Sequence, residues 1–303
     1  MLELGKYQRG ENIVSHLDST LDTLYERHLE LSNKVDWGYH NLLPWERGRN
    51  FNDDPWSPDQ GTISPELTVA VETAMLTEVN LPWFTSGLNA VFADAPSAFR
   101  NFVHTWTREE DQHGRILDVY LLLSRNGEPE TRDRIRKNVI GTGWNIEDSD
   151  PFSVMVYTSL QELATRVFYL NLARAAETQD PVLSKILRVI AKDETLHYAF
   201  YRDAAKAYID EDPSRIATVC RIIPKFVMPG FGMPNFRQRL QVIAKYANYG
   251  IYAYYQNVLK VVLEFWGVLQ YDVSSGTRDA RHTLDQYLTK LQRIAGRQTP
   301  AAE

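Results

Sequence analysis

Cysteine is almost absent from this chain of 303 residues, in which Cys220 is the only one. A single thiol excludes an intrachain disulfide, a zinc site built from thiolates and a ligated iron–sulfur cluster. No window approaches the roughly 18 uninterrupted apolar residues of a membrane span. The first residues also lack a basic region followed by an apolar run, so we expect no secretory signal, no membrane insertion and a cytoplasmic location.

Excess positive charge, nucleotide-binding loops and strand patterns are missing as well. The formal net charge is -6, which argues against nucleic-acid binding because such surfaces are normally basic. No Gly-x-Gly-x-x-Gly loop for a dinucleotide occurs. Without alternating apolar residues, tandem repeats or a low-complexity linker, the sequence predicts one all-α domain over residues 1–303.

Helix start signals recur along the chain. Ser64, Asp150, Asp180 and Asp212 each precede a proline, and a capping side chain followed by proline is typical of a first helical turn. The predicted helices cover about 13–35, 64–89, 96–125, 129–140, 151–178, 181–209, 213–228, 236–268 and 278–295.

Two local features interrupt this helical pattern. Pro82 follows Glu78 by four residues, so the carbonyl of Glu78 loses its usual donor and a kink is expected beside that carboxylate. Residues 36–63 are rich in Trp, Pro, Asn, Asp and Gly, and are predicted to form a long ordered loop. Four aromatic side chains are expected to hold this loop in place: Trp37, Trp45, Phe51 and Trp56.

Two Glu-x-x-His pairs occupy positions that the helical period assigns to the core. Glu110 and His113 interrupt the apolar stripe of one helix, and Glu194 and His197 interrupt that of another. A spacing of three residues places both side chains on one helical face, with Cβ atoms about 5–6 Å apart. A carboxylate in the core must be paired, protonated or bound to a metal, because a bare one costs several kcal/mol.

Two further acids complete a pattern across four helices. Glu78 and Glu162 fall on the inner faces of their own helices, giving the chain order Glu, Glu-x-x-His, Glu, Glu-x-x-His. This order is that of a di-iron carboxylate site in a ferritin-like four-helix bundle, here with additional N- and C-terminal helices. Oxygen and imidazole donors suit iron or manganese. Taken singly, either acid would be interpreted as a surface residue or part of a buried ion pair. His40 and His104 fit no such pattern and are interpreted as ordinary residues.

Four segments resemble the acyl-(acyl-carrier-protein) desaturase family, which includes plant stearoyl desaturases and actinobacterial relatives. They cover the bundle from about residue 64 to 210, and weaker similarity continues to the Met-Pro-Gly stretch. The segments are Thr77-Glu78-Val79-Asn80-Leu81-Pro82, Trp106-Thr107-Arg108-Glu109-Glu110-Asp111-Gln112-His113-Gly114, Tyr157-Thr158-Ser159-Leu160-Gln161-Glu162-Leu163-Ala164-Thr165 and Asp193-Glu194-Thr195-Leu196-His197.

The resemblance implies a non-haem di-iron centre that uses O₂ as co-substrate to remove two hydrogens from a saturated acyl chain. It further implies a substrate carried on acyl carrier protein, electrons from a ferredoxin-type donor, and a homodimer. Glu110 and Glu194 would bridge the two iron ions. By position, the implied ligands are Glu78, Glu110, His113, Glu162, Glu194 and His197.

The resemblance also assigns roles around the metal ions. Thr165 matches the active-site threonine of the family, although a helix-interior threonine bonded to its own backbone is an equal interpretation. Trp106 and Asp193 match positions beside the ligands, where an acid can hold a ligand imidazole by its free N–H. Plant members carry a tryptophan before the bundle that is linked to reduction of the cluster. Residues 47–51 occupy about that place here, and the expected route of reduction therefore departs from theirs.

Substrate and partner sites follow from the same interpretation. A narrow apolar tunnel is expected beside the metal ions, lined by the helices of Glu78, Glu110 and Glu162. An acidic carrier protein requires a basic docking site, and the densest basic run is Arg132, Arg134, Arg136 and Lys137, which could equally be a solvated helix face. Because the chain has no redox group of its own, the electron donor must be external. The alternatives are a di-iron hydroxylase or N-oxygenase and, from another class, iron storage or a non-catalytic helical scaffold.

Overall fold

Twelve α-helices make up most of the chain in a computed structural model, which describes residues 16–144, 150–271 and 277–297. Within those ranges there is no β-strand, as the sequence predicts. The helices are α1 (His16–Val35), α2 (Pro65–Glu78), α3 (Leu81–Val91), α4 (Ser97–Leu123), α5 (Pro129–Thr142), α6 (Pro151–Ala176), α7 (Pro181–Glu211), α8 (Ile216–Ile222), α9 (Phe236–Tyr246), α10 (Ile251–Tyr254), α11 (Lys260–Phe265) and α12 (Arg278–Ala295). A π-helical turn, Tyr255–Leu259, joins α10 to α11. The predicted start of the first helix at residue 13 lies outside the described residues.

The predicted caps of three long helices are confirmed. The Ser64 side chain accepts a hydrogen bond from the Leu67 amide at the start of α2. The Asp150 and Asp180 side chains do the same for the first turns of α6 and α7. A proline follows each cap, where its missing N–H costs nothing. These local signals therefore set the starting points of three of the four helices that carry the predicted ligands.

The predicted kink beside Glu78 is a complete break. α2 ends at Glu78, and α3 begins three residues later, at Leu81, with Pro82 in its first turn. The single helix predicted over 64–89 is therefore wrong in its continuity, because Pro82 cannot donate back to the Glu78 carbonyl. Glu78 consequently stands at a helix terminus, where its carboxylate can turn towards the neighbouring helices.

The C-terminal region is also more broken than its sequence pattern predicts. The helix expected over 213–228 is a short α8 between two 3-10 turns, and Pro224 lies in the second of them. The helix expected over 236–268 ends at Tyr246 and restarts at Ile251. Asn248 has a φ of 47° and Gly250 precedes the new helix, so the backbone leaves helical geometry between them.

Four helices form the bundle that the ligand pattern requires. α6 packs along α7, α2 packs along α4, and contacts of α2 with α6 and α4 with α7 close the ring. α1 lies across α4 and α7. The bundle helices thus pack as the four rows of the predicted ferritin-like site, and the additional helices cover their outer faces.

The bundle core consists of two apolar clusters with polar side chains between them. In α4, Trp106 belongs to one cluster and Ile116 to the other, with Glu110 and His113 between them in sequence. In α7, Ile190 and Tyr198 divide in the same way around Glu194 and His197. Large apolar cores on both sides keep water from the intervening polar layer.

The predicted loop over 36–63 is ordered and contains three short 3-10 turns. Trp56 donates its indole N–H to the Arg125 carbonyl at 3.0 Å, and the Arg125 guanidinium lies 4.3 Å from the centre of the Phe51 ring. Trp45 is 51% exposed and bonds only to the nearby His40 carbonyl. Its predicted anchoring role is therefore wrong.

No described helix is by itself both long and apolar enough to cross a bilayer. Only the segments Pro213–Gly232 and Phe236–Tyr246, bent by 104° relative to each other, reach the required length and composition as a pair.

Candidate metal centre

The six side chains predicted as ligands meet in the polar layer of the bundle. α2 supplies Glu78, α4 supplies Glu110 and His113, α6 supplies Glu162, and α7 supplies Glu194 and His197. The two imidazoles have no exposed surface, and three of the four acids are at most 5% exposed. Only Glu78, at the end of α2, is partly exposed.

The six residues form two overlapping groups of donor atoms. One consists of Glu78, Glu110, His113 and Glu194, and the other of Glu110, Glu162, Glu194 and His197. Within each group one donor atom from every residue lies within 4.8 Å of the others. Glu110 and Glu194 belong to both groups, which is the arrangement that two neighbouring ions with two shared carboxylates would need.

Each imidazole turns one nitrogen towards the carboxylates. Nδ1 of His113 lies 3.0 Å from Glu110 Oε2, and Nδ1 of His197 lies 3.0 Å from Glu110 Oε1. The two ring centres are 6.1 Å apart. In both residues Nδ1 therefore faces the cluster, and Nε2 is left to bind the surrounding protein.

The outward nitrogens bind acids in a crossed arrangement. Nε2 of His113, on α4, lies 3.1 Å from Oδ2 of Asp193, on α7. Nε2 of His197, on α7, lies 2.9 Å from Oε2 of Glu109, on α4. Each acid immediately precedes the glutamate of its own Glu-x-x-His pair and orients the imidazole of the other pair. A carboxylate bound to the far nitrogen fixes the ring and makes it a stronger ligand.

Glu109 was missed in the sequence, as were its partners on α1. Ser32 donates a hydrogen bond to Glu109 Oε1, and His28 Nε2 lies 3.3 Å from its Oε2. Both partners are buried. A usable signal was present, because an acid precedes the glutamate in both pairs, Glu109 in one and Asp193 in the other. The sequence offers no such signal for the two α1 residues.

The site also contains a tryptophan that comes before the bundle in the chain. The Trp37 indole donates to Asp193 Oδ2 at 2.7 Å, and its ring stacks on His113 with centres 6.2 Å apart. Trp37, Asp193 and His113 thus form a continuous hydrogen-bonded chain from a half-buried indole to the cluster. The departure predicted at residues 47–51 concerns a different place, since Arg47 pairs with Asp180 at 2.5 Å.

The acids of the cluster are buried and have few positive charges near them, and their pKa values are shifted accordingly. Burial and the neighbouring charge of Glu110 raise the pKa of Glu78 well above its ordinary value. Burial likewise raises the pKa of Glu162. Burial opposes ionisation of Glu110 too, but the adjacent His113 and His197 together outweigh it and lower the pKa of Glu110. Burial would lower the pKa of His113, yet Glu110 and Asp193 raise it well above normal.

Glu109 is held as a carboxylate. Burial would raise its pKa, but hydrogen bonds with His197, His28 and Ser32 outweigh that effect and lower the pKa far below its ordinary value. Glu109 therefore carries a full negative charge beside His197 at neutral pH. Such a charge favours a positive or metal-bound imidazole at that position.

The donor set fits a pair of divalent cations. Glu162 Oε1 is buried without a hydrogen-bond partner, and His197 Nδ1, although 3.0 Å from Glu110 Oε1, forms no well-aligned hydrogen bond. Buried polar atoms are normally satisfied. Within the described ranges, no Lys or Arg forms an ion pair with Glu78, Glu110 or Glu162, and none does so with Glu194. Four carboxylates with only two imidazoles between them need added positive charge, which two divalent ions would supply.

Thr165 combines both interpretations offered by its sequence. Its hydroxyl lies 3.0 Å from the carbonyls of Gln161 and Glu162, as expected for a helix-interior threonine. The same oxygen lies 3.0 Å from Glu194 Oε2. One hydroxyl proton cannot serve all three acceptors at once, so the hydroxyl can turn between its own backbone and the cluster.

Two cavities border the polar layer and share Thr77, Glu78 and Thr165. The inner cavity meets Glu110, Glu162 and Glu194, and its apolar walls are Leu81, Phe84, Trp106 and Pro229. The outer cavity runs between α2, α6 and α9, and its further walls are Thr73, Ala74, Phe168, Tyr169, Met228, Gly230, Phe236, Leu240, Ile243 and Tyr249. The helices of Glu78, Glu110 and Glu162 all line this space as predicted. The large contribution of residues 228–249 was not foreseen.

Comparison with known proteins agrees with the site. A family model described as "Fatty acid desaturase" matches residues 9–302. The chain is 31% identical over 277 residues to DesA1 of Mycobacterium tuberculosis, which is assigned as an acyl-(acyl-carrier-protein) desaturase; the match covers 87% of this chain and 80% of DesA1. It is 29% identical over 251 residues to the chloroplastic stearoyl-(acyl-carrier-protein) 9-desaturase 6 of Arabidopsis thaliana, covering 72% of this chain and 63% of that protein.

The fold has a counterpart among solved structures. The X-ray structure of DesA2 from Mycobacterium tuberculosis, assigned to the same activity, superposes with a TM-score of 0.69 and 20% identity, covering 90% of this chain and 100% of that one. The sequence matches indicate one family, and the described helices and the buried Glu and His cluster are consistent with it. The chain therefore belongs to the acyl-(acyl-carrier-protein) desaturase family.

Proposed function

We propose that this protein is an O₂-dependent di-iron desaturase that introduces a double bond into a saturated acyl chain carried on acyl carrier protein. The observation that carries the proposal is the pair of buried donor groups that share Glu110 and Glu194 beside an apolar cavity. Storage proteins and scaffolds have no need of an apolar cavity that ends at the carboxylates.

The six residues would hold the two iron ions in a nearly symmetric way. Glu78 and His113 would hold one ion, Glu162 and His197 would hold the other, and Glu110 and Glu194 would be shared between them. Asp193 and Glu109 fix the two imidazoles from opposite helices. When bound, such an iron pair supplies the reductive activation of O₂ that hydrogen removal from an unactivated methylene requires.

The protein supplies position and exclusion of water. Leu81, Phe84 and Trp106 present an apolar surface next to Glu110 and Glu162, so a methylene chain in the cavity would lie directly beside the cluster. Thr165 stands where this cavity meets Glu194. Its hydroxyl can donate a hydrogen bond to an oxygen atom on the cavity side in place of the one to its own backbone.

Electrons come from a separate protein in this proposal. The sequence has one cysteine and no dinucleotide loop, so no described group of the chain can store the two electrons of a turnover. A ferredoxin-type donor acting near the partly exposed Trp37 is consistent with its hydrogen bond to Asp193 and the contact of Asp193 with His113.

The test is reconstitution followed by product analysis. Protein purified with Fe(II) is assayed for iron content and then incubated with O₂, reduced ferredoxin and octadecanoyl-acyl carrier protein. We expect two iron ions per chain and a product lighter by two hydrogens. A product heavier by one oxygen would instead identify a hydroxylase.

Matched variants separate binding from chemistry. Glu194→Ala removes a proposed bridging ligand, so both iron ions and the product should be lost together. Glu177→Ala, on an exposed residue after α6, should change neither. Full iron content and full activity in Glu194→Ala would contradict the proposed site.

A further inference from the structure

Acidic residues are missing from one long part of the C-terminal half. Between Pro213 and Leu263 the sequence has seven Lys and Arg residues and no Asp or Glu. The whole chain nevertheless has a formal net charge of -6, so its acidic excess lies entirely outside this segment. A surface built from such a segment favours an acidic macromolecule as its partner.

This basic segment forms the outer end of the second cavity. Leu240 lines the cavity and is 40% exposed, so the cavity reaches the surface beside it. Phe231 is 59% exposed, and its ring lies 6.1 Å from that of Phe236, which also lines the cavity. Val227 is 42% exposed and precedes Met228, another lining residue. We call Val227, Phe231 and Leu240 the mouth patch.

Two cations stand on α9 beside the mouth patch. Arg237 lies three residues before Leu240 and therefore shares its helical face. Lys245 lies five residues after Leu240, in the last turn of α9 and on another face, so it adds to the positive field at this end of the molecule. Both are exposed, and neither forms an ion pair with a carboxylate in the described ranges of the chain. Arg239, by contrast, is buried against Glu72 at 2.6 Å.

The basic run predicted from the sequence is less suited to docking. Arg132 on α5 is 3% exposed and lies 3.6 Å from Asp118, so it serves the protein interior. Lys137 is paired with Asp133 at 2.5 Å. Two of the four positive charges in this basic run are therefore already paired with carboxylates of the same chain. The unpaired charges of α9 also lie beside a cavity that leads to the cluster, which is a stronger reason to favour that face.

We infer that the mouth patch, with Arg237 and Lys245, is the docking surface for the acyl carrier protein. The inference rests on the proposed function. A covalently carried acyl chain must enter where its carrier binds, and the outer cavity connects this face to Glu78 and Thr165. The distal end of the chain would then lie in the inner cavity against Leu81 and Phe84.

The experiment measures binding of the carrier itself. The probe is an acyl carrier protein bearing a hexadecanoyl group through a non-hydrolysable linkage, and binding to the iron-loaded protein is followed by fluorescence anisotropy at several salt concentrations. Arg237→Glu combined with Lys245→Glu should raise the Kd by about tenfold and flatten its salt dependence. The milder pair Arg237→Ala and Lys245→Ala should give a smaller rise. The matched control, Arg134→Glu with Lys137→Glu on α5, should change the Kd by less than about twofold.

Several outcomes would overturn the docking surface. One is a rise in Kd for the α5 control that equals or exceeds the rise for the α9 variant. A second is that the unchanged protein does not bind the carrier. A third is loss of self-association in the α9 variant, which would identify the face as a contact between two copies of the chain. Another is binding to anionic phosphatidylglycerol vesicles that the α9 variant abolishes while carrier binding persists, since the face would then serve a lipid surface.

The docking surface and the proposed function fail in different ways. Loss of carrier binding in the α9 variant, with no dehydrogenated product from the unchanged iron-loaded protein, would support the surface and reject the desaturase. A dehydrogenated product formed by the α9 variant with unchanged kcat/KM would reject the surface and support the desaturase. Melting temperature and iron content of each variant show that its fold is retained.

Discussion

Glu109 and Asp193 show that the orientation of a predicted ligand can depend on a residue that is not itself predicted to bind the metal. Both acids bind the outward nitrogen of a buried imidazole, at 2.9 Å and 3.1 Å. Glu109 depends in turn on His28 and Ser32 from α1. The helix that lies outside the four-row bundle thereby sets the geometry of one half of the centre.

Replacing Glu109 with glutamine tests this role at the scale of a single residue. Glu109→Gln keeps the size of the side chain and removes the negative charge beside His197. We expect the affinity for the ion held by Glu162 and His197 to fall about 10–100-fold, as measured by anaerobic titration with Co(II) and its visible absorption. Asp193→Asn should weaken the ion at His113 to a similar extent.

The control for this prediction is another acid of α4. Asp111→Asn changes an exposed carboxylate that pairs with Arg115 at 2.6 Å on the surface, and it should leave both affinities unchanged. Wild-type affinity for both ions in Glu109→Gln would show that Glu109 does not position His197.

Prediction from sequence was most successful for residues that can be identified from the residue pattern of their own helix. Glu110, His113, Glu194 and His197 were found because their spacing and their place in an apolar stripe are local properties. His28 and Trp37 could not be found in this way, since only the packing of α1 and the following loop brings them to the centre. The assignment of the six residues as ligands stays a prediction until the metal is measured.

At the scale of helices, α2 and α4 approach closely at Gly114. A Cβ atom at Gly114 would lie 3.3 Å from the Cβ of Glu78. Glycine therefore allows the end of α2 to reach the centre. A larger residue must push Glu78 and its carboxylate away from Glu110.

Gly114→Val should consequently weaken one ion and spare the other. We expect a loss of stability of about 1–3 kcal/mol from overpacking and binding of one Co(II) per chain in place of two. Gly141→Val, where an added Cβ meets nothing within 4 Å, should retain both ions. Two tightly bound ions in Gly114→Val would show that this contact does not position Glu78.

Asp180 links the long loop to the start of α7. Its carboxylate accepts hydrogen bonds from Arg47, from Tyr120 at 2.9 Å, from Thr62 at 3.2 Å and from the first amides of α7. Burial would raise the pKa of Asp180, but the hydrogen bonds from Arg47 and Tyr120 and the charge of Arg47 together outweigh it and lower the pKa below its ordinary value. Because the pKa is depressed in the folded protein, the stabilisation is present at neutral pH and is lost as the pH falls below about 4.

Asp180→Asn should therefore destabilise the protein most at neutral pH. We expect a decrease of about 2–3 kcal/mol in the free energy of unfolding near pH 7, shrinking towards pH 3. Urea unfolding at a series of pH values measures this difference. Asp212→Asn, at an exposed helix cap of the same Asp-Pro type, is the control and should have a smaller effect. A constant difference for Asp180→Asn across the pH range would contradict the assigned charge.

The starts of the helices were predictable and several of their ends were not. Ser64, Asp150 and Asp180 cap their helices through neighbouring backbone groups, so sequence alone identifies them. The ends near Tyr246 and Ile222 depend on how the C-terminal segments pack over the bundle. Apolar periodicity continues through both ends, and it therefore predicted helices that were too long.

At the scale of the whole molecule, the centre joins helices that are far apart in sequence. Its predicted ligands come from α2, α4, α6 and α7, and the apolar residues on either side of them belong to separate clusters. The ferritin-like fold class was predicted because this long-range pattern leaves one residue or pair on each helix. The single-domain organisation and the homodimer stay predictions.

Removing the metal should lower the stability of the entire bundle. An ion that binds only the folded state stabilises it by about 2.7 kcal/mol at 100 times its Kd. We expect a chelator to lower the Tm by on the order of 5 °C or more, and Fe(II) added anaerobically to restore it. Scanning calorimetry measures the change, and Glu194→Ala should have a Tm that the chelator does not alter. Equal Tm values for the unchanged protein with and without chelator would contradict the site.

In the proposed di-iron enzyme, the crossed acids would also couple metal loading to the completion of folding. A partly folded chain in which only α2 and α4 have packed together contains Glu110 and His113, but it lacks Asp193 of α7, which orients His113. A pair of α6 and α7 contains His197, but it lacks Glu109 of α4, which orients His197. Neither half would complete the predicted site alone, so tight iron binding in the proposed enzyme would require the assembled bundle. Nascent or partly unfolded protein would then be spared the oxidative damage that loosely held iron and O₂ cause.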